Sequence, residues 1–130
     1  MRDDSALLAW LELEREAVWV YPLIGARAPQ LAAAARTSWS AHREVRDRLV
    51  TAVATDTTSA RASYAVPDLT DPDTARTFAQ GLERRIQAAC AAAVAAAEPA
   101  QRALPLHGLR TAALAELAWG APPTAFPGLA

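Results

Sequence analysis

The chain has 130 residues, 52% of them hydrophobic and 21% charged, and its 13 basic residues, all arginine, nearly balance 14 acidic ones. This length suits a single domain with one sizeable core, and a net charge of -1 excludes a strongly basic nucleic-acid or anionic-membrane surface. The lone cysteine, Cys90, rules out an internal disulfide and a cysteine-rich metal site. Since no apolar run resembles a membrane span or the core of a signal peptide, we expect a cytoplasmic protein.

The first predicted helix covers about residues 4–25 and places a carboxylate inside an apolar seam. The seam recurs at steps of four and three residues and consists of Leu7, Leu11, Glu14, Val18 and Tyr21. Burying an unpaired carboxylate is prohibitive, so Glu14 must find a partner, move its pKa towards neutrality or bind a cation. Gly25 is expected to end this helix.

The second predicted helix covers about residues 29–55, and His42 is the strongly polar member of its seam. That seam consists of Leu31, Ala35, Ser38, His42, Val45, Leu49 and Ala52. Residues 56–69 then lose the helical pattern, and in an extended form they match the length of a helix. We therefore expect a crossover, held by Tyr64 and Val66, that leaves helix three parallel to helix two.

The third predicted helix covers about residues 71–97, with Asp71 or Thr70 as its cap and Pro72 in its first turn. Glu83 lies on the flank of its buried face. The fourth covers about residues 99–119, and Pro105 and Gly108 predict a kink or break in it. The expected core residues of helix four are Leu106, Leu109, Ala113, Leu114 and Leu117.

The last ten residues, 121–130, are too rich in proline for a helix. They form either a disordered tail or an extended strap that lays Phe126 and Leu129 on the bundle. Trp19 lies on the outer face of helix one, where an exposed indole is unexpected. Either the tail or a second subunit should cover it, and we favour the tail.

The order and spacing of short motifs over nearly the whole chain are similar to those of a ferritin-like family of unknown function, domain-of-unknown-function group 4439. The stretches that carry the resemblance are Glu14 to Tyr21, Ile24 to Arg27, Ala41 to Leu49, Thr70-Asp71-Pro72, Leu82-Glu83 and Thr124 to Leu129. The resemblance implies an all-α, ferritin-like four-helix bundle with a long crossover between helices two and three. It implies no activity, because that of the family is itself unassigned.

Ferritin-like metal proteins take one Glu from each of two helices and a Glu-x-x-His motif from each of the other two. Carried over to this chain, the resemblance makes Glu14, Glu83 and His42 candidate metal ligands. The rest of the pattern is missing, since Trp39 stands three residues before His42 and helix four has no Glu-x-x-His. His107, beside Gly108, is expected to be a surface or loop histidine. The three candidates therefore form at most a degenerate site.

Two interpretations of Glu14 and His42 remain open: a metal or proton-transfer pair, or a buried ion pair or hydrogen bond that fixes helix register. We expect a non-catalytic structural or binding protein without a cofactor, which self-associates as a homodimer and binds neither nucleic acid nor membrane. The first alternative is an iron- or manganese-dependent oxidoreductase that uses Glu14, His42 and Glu83. The second is a small-ligand-binding helical module.

Overall fold

The computed structural model describes residues 3–54 and 61–129, and within these ranges the chain forms four α-helices and no strand. The helices are α1 Ser5–Arg27, α2 Ala32–Ala52, α3 Pro72–Ala96 and α4 Ala103–Ala118. Single 3₁₀ turns, Pro29–Leu31 and Pro99–Gln101, lead into α2 and α4. The all-α class is confirmed, while the predicted end of helix two at residue 55 lies outside the described residues. None of the described helices combines the length and the apolar character that a membrane span requires.

Contacts between helix ends show that consecutive helices run antiparallel within each half of the chain. Asp4, at the start of α1, accepts a hydrogen bond of 2.6 Å from the backbone N–H of Ala54, just beyond the end of α2. Gln80, near the start of α3, donates to the backbone carbonyl of Trp119 at the end of α4, at 2.8 Å. The chain is thus built from two antiparallel helix pairs.

The segment between α2 and α3 joins the two pairs and leaves α3 parallel to α2. Glu16 of α1 pairs with Arg85 of α3, and Tyr21 farther along α1 reaches Glu83 earlier in α3, so these two helices are antiparallel. The crossover packs Val66 against the core and Tyr64 against Trp19, whose ring centroid lies 5.5 Å away. Residues 56–60 of the predicted crossover lie outside the described residues.

The contact with Tyr64 corrects the expectation for Trp19, because the crossover and not the tail lies on its indole ring. Residues 121–129 are not helical, as predicted. Phe126 and Leu129, however, are 71% and 74% exposed, so the alternative in which an extended strap lays them on the bundle is wrong. The tail approaches α3 at Gly128 instead, where an added Cβ would lie 2.7 Å from the carbonyl oxygen of Gln87.

Helix α4 differs most from its prediction, since it runs unbroken past both expected breakers. Pro105 is the third helical residue, where its missing N–H costs no ladder hydrogen bond. Gly108 allows close packing, because a Cβ at this position would overlap the ring of Trp10. Gly120, at a left-handed φ of 101°, follows the helix end as expected. By contrast, α1 continues through Gly25 to Arg27.

The buried face of α4 is also different from the predicted one. Leu106, Leu114 and Leu117 are 46%, 60% and 40% exposed. The residues that α4 buries are Pro105, Gly108, Ala112 and Glu116. The other helices follow their predicted seams more closely, and their fully buried large side chains include Trp10, Leu11, Tyr21, Ile24, Leu49, Leu82 and Ile86. The core therefore lies mainly between α1, α2 and α3, with small residues of α4 closing one side.

Candidate functional site

The three candidate ligands meet at the centre of the core, with the imidazole of His42 between two carboxylates. Glu14 comes from α1, His42 from α2 and Glu83 from α3, and their exposed fractions are 1%, 1% and 0%. Nδ1 of His42 lies 2.5 Å from Oε2 of Glu14, and Nε2 lies 2.5 Å from Oε1 of Glu83. Glu83, predicted on a flank, is thus as central as the other two.

This geometry requires at least one proton more than a neutral imidazole and two carboxylates contain. A carboxylate oxygen only accepts hydrogen bonds, and a neutral imidazole has a single N–H. Two ring nitrogens that both face carboxylate oxygens at 2.5 Å therefore need either an imidazolium or a protonated carboxyl group. The choice depends on the pKa of His42.

Two opposing effects set the pKa of His42. Burial lowers it, because desolvation disfavours the charged imidazole, but the charge of Glu14 and the hydrogen bonds to Glu14 and Glu83 raise it. The net result raises the pKa of His42 from 6.5 to about 10. A raised pKa favours the imidazolium form, in which both ring N–H groups donate to the carboxylates.

Each carboxylate has one further donor from α1. The indole N–H of Trp10 donates to Oε1 of Glu14 at 2.9 Å, and the hydroxyl of Tyr21 donates to Oε1 of Glu83 at 2.7 Å. Burial and the negative charge of Glu83 raise the pKa of Tyr21 well above its ordinary value, so its hydroxyl keeps its proton.

Aromatic rings stack beside the imidazole and fix its plane. The ring of Tyr21 is nearly parallel to that of His42, with centroids 5.6 Å apart and an angle of 3° between planes. The ring of Tyr21 also stacks on Trp119, with centroids 5.7 Å apart, and the indole N–H of Trp119 donates to Oγ of Ser38 at 3.0 Å. The ring of His42 has little freedom to turn in this packing.

One oxygen of the site lacks a hydrogen bond. Oε2 of Glu83 is the one buried side-chain nitrogen or oxygen without a partner in residues 3–54 and 61–129. Nearby, burial and the charges of Glu14 and Glu83 raise the pKa of the Cys90 thiol. A buried thiol of raised pKa is a poor nucleophile, so Cys90 is a small core residue rather than a reactive group.

Helix α4 contributes a separate polar cluster rather than a fourth ligand. Glu116 accepts a hydrogen bond of 2.8 Å from the side-chain amide of Gln87 and forms an ion pair of 3.0 Å with Arg84. Its carboxylate is therefore held by two side chains of α3. His107 is exposed on α4, as predicted for a surface histidine.

Comparison with known proteins gives a family. The model of the family described as domain of unknown function (DUF4439) matches residues 6–130. The chain belongs to this family. No curated protein and no solved structure matches it. The match thus confirms the predicted domain-of-unknown-function group 4439 and adds no activity.

In this DUF4439 chain, the arrangement of the three candidates does not fit a metal ion. A histidine ligand must offer a ring-nitrogen lone pair to the metal, whereas both ring nitrogens of His42 face carboxylate oxygens at 2.5 Å. The carboxylates of Glu14 and Glu83 face opposite edges of the ring. Among the described residues, no group of three or more His, Cys, Asp or Glu side chains is placed to hold a metal. Metal binding by the three residues stays a prediction that metal analysis must test.

The sequence identified the members of the site but not its hydrogen bonds. Trp10 stands four residues before Glu14, a spacing that brings two helical side chains together, so this bond had a detectable signal. The role of Tyr21 had a weaker signal in the sequence, namely its position in the same seam of α1 as Glu14. Gln87 and Glu116 had none, because the apolar residues of α4 do not define a single face.

Proposed function

We propose that this protein is a non-catalytic helical bundle of ferritin-like topology in which the imidazolium of His42 takes the place of a metal cation. One observation carries the proposal: both ring nitrogens of His42 lie 2.5 Å from oxygens of carboxylates on two other helices. A single cationic ring thereby joins α1, α2 and α3.

The helix directions support the ferritin-like part of this proposal. Two antiparallel pairs linked by one long crossover, with α2 and α3 parallel, form the arrangement that ferritin-like bundles share. In those bundles, acidic side chains from facing helices project inwards to a common centre. Glu14 and Glu83 project inwards here, and His42 lies where their charges require a cation.

The proposed role of this triad is to fix the register of three helices. A one-turn slip of α2 against α1 would leave Glu14 and Glu83 buried without the positive charge of His42. Removing one partner of a buried ion pair destabilises a protein by about 3–5 kcal/mol, so misaligned packings are strongly disfavoured. The bundle then presents its surface, rather than its core, to whatever it binds.

The alternative function is the iron- or manganese-dependent oxidoreductase, and one observation favours it. Oε2 of Glu83 is fully buried and unpartnered, as a carboxylate oxygen would be if a cation normally satisfied it. In that case, His42 would have to turn away from one carboxylate and release a proton to expose a lone pair. The stacking of Tyr21 on His42 opposes such a rotation.

Metal analysis after expression in iron- and manganese-rich medium separates the two functions. We expect well below one equivalent of metal in the purified protein and a melting temperature that a chelator does not change. Stoichiometric metal that is lost in Glu14→Ala and retained in Glu12→Ala would establish the alternative. Glu12 is a suitable control because it is an exposed carboxylate on the same helix.

We also propose a homodimer, supported by the apolar surface of α4. Leu106, Leu114 and Leu117 are at least 40% exposed and lie on one side of this helix. Light scattering coupled to size-exclusion chromatography should give twice the chain mass of 13.8 kDa. A mass that equals one chain at high concentration would refute the dimer. The cytoplasmic location stays a prediction from the sequence.

A further inference from the structure

A cleft of about 420 Å³ lies between the C-terminal half of α1 and the N-terminal half of α2. Its walls are largely apolar: Pro22 comes from α1, Ala32 and Ala35 come from α2, and the indole of Trp39 forms one side. Tyr21 closes the inner end. This volume lies within the range of about 300–1,000 Å³ that is usual for sites of small organic molecules.

The cleft exists because the two helices expose small residues to each other at this level. An added Cβ at Gly25 would lie 3.5 Å from the Cα of Ala32 and 3.7 Å from the Cβ of Ala35, which is ordinary contact. No large side chain fills the space beside this contact. The inner end of the cleft is rigid, since the hydroxyl of Tyr21 donates a hydrogen bond of 2.7 Å to Glu83.

Unpaired positive charge lies at the rim of the cleft. Arg36 lines it, and within residues 3–54 and 61–129 this guanidinium contacts no carboxylate. Arg43, one turn beyond Trp39, likewise lacks an acidic partner in the described chain and lies over the indole ring, 5.1 Å from its centroid. Farther along the same helix, Arg46 and Arg48 each form an ion pair with a carboxylate.

We propose that this cleft binds a small organic anion that has one carboxylate on a flat apolar body. The guanidinium of Arg36 offers the paired N–H donors that recognise a carboxylate in bidentate fashion. The apolar body lies between Trp39 and the wall formed by Pro22 and Ala35, where an aromatic ring gains stacking and buried area. Arg43 adds a second positive charge beyond Trp39.

This binding uses none of the three triad side chains, although Tyr21 at the inner end of the cleft also donates to Glu83. Its recognition groups are Arg36, Trp39 and the apolar walls, whereas the triad uses Glu14, His42 and Glu83. Metal in the core would refute the proposed function but would leave Arg36 and Trp39 in place to bind the probe. Failure of the probe to bind would refute the cleft proposal and leave the proposed function of the triad standing.

Calorimetric titration with naphthalene-2-carboxylate, compared with the neutral naphthalene-2-methanol, tests the proposal on the whole chain. We expect the carboxylate to bind and to shift the indole N–H resonance of Trp39. Arg36→Gln should raise its Kd at least about tenfold, as the loss of a hydrogen bond to a charged group implies. Arg48→Gln, which removes the same charge from an exposed site on α2, should leave the Kd within about twofold of the original.

A second variant tests whether the ligand occupies the cleft itself. Ala32 is an exposed residue at the edge of the cleft, so Ala32→Phe should fill the space and abolish binding while the melting temperature stays nearly unchanged. The proposal is overturned if the carboxylate and the alcohol bind equally, if Arg36→Gln binds as tightly as the original protein, or if neither probe binds at millimolar concentration. Shifts confined to residues outside the cleft would also overturn it.

Discussion

Removal of His42 should be costly only while its two carboxylate partners carry charge. His42→Leu leaves Glu14 and Glu83 in a core where they are 1% and 0% exposed, without the cation between them. Breaking a buried ion pair in this way costs about 3–5 kcal/mol. In a Glu14→Gln, Glu83→Gln background, the amide oxygens still accept from Trp10 and Tyr21, and no charge is buried. There, His42→Leu should cost about 1–2 kcal/mol, the loss of neutral hydrogen bonds.

Urea unfolding at pH 7 of the four proteins in this cycle measures the coupling directly. A domain of this size is typically stable by about 5–15 kcal/mol, so His42→Leu should remain folded enough to measure. We expect a coupling free energy of about 2–3 kcal/mol between His42 and the pair of carboxylates. An equal cost of His42→Leu in both backgrounds would refute the charge-based reasoning.

Three further predictions address the titration of His42, the packing of α4 and the start of α3. Because the pKa of His42 rises from 6.5 to about 10 on folding, its contribution is complete below pH 6.5 and is lost as the pH rises towards 10. Urea unfolding should therefore show that the free energy of unfolding falls by up to about 1.4 kcal/mol per pH unit between pH 7 and 8.5. In the control variant His42→Leu, the free energy of unfolding should not change over this range. Gly108→Ala should destabilise the protein by about 1–3 kcal/mol, because its methyl group overlaps Trp10. Gly81→Ala, with open space at its Cβ, should stabilise the protein by about 0.5–1 kcal/mol. Thermal melts in which Gly108→Ala is more stable than Gly81→Ala would contradict this. Asp71→Ala removes the side chain that caps α3 and should cost about 1 kcal/mol, and an unchanged melting temperature would show that the cap is not needed.

The sequence predicted α2 well because the apolar seam of this helix is unbroken and few large apolar residues lie outside the seam. Ala35, Ser38, His42, Val45 and Leu49 were all expected inwards, and all are buried. The periodicity of such a helix identifies one face, and apart from Trp39 and Val50 the remaining positions are charged, small or hydroxylated.

Helix α4 was predicted poorly because it is apolar on more than one side. Leu114 and Leu117 are the kind of residues that usually define a core face, yet they point outwards. The close packing of Gly108 on Trp10 decides the rotation of α4, and it depends on tertiary structure that no local pattern contains. A glycine that breaks an isolated helix can therefore also permit close packing in a folded one.

The composition of the site was visible in the sequence, but its chemistry was not. A polar residue within an apolar seam is a strong signal, and it identified Glu14 and His42. Which atoms of the three side chains face each other depends on the positions of the three helices along their axes, and small axial shifts change these contacts. Only the structure shows that both ring nitrogens of His42 face carboxylate oxygens.

Nitrogen-15 NMR of the imidazole ring of His42 at pH 8 tests most directly whether a cationic ring joins the two carboxylates. The resonances are assigned by comparison with His107→Gln, which removes the other histidine of the chain. We predict that both ring nitrogens of His42 are protonated at this pH, more than one unit above the ordinary histidine pKa. A neutral ring with one protonated and one unprotonated nitrogen at pH 8 would contradict the imidazolium bridge.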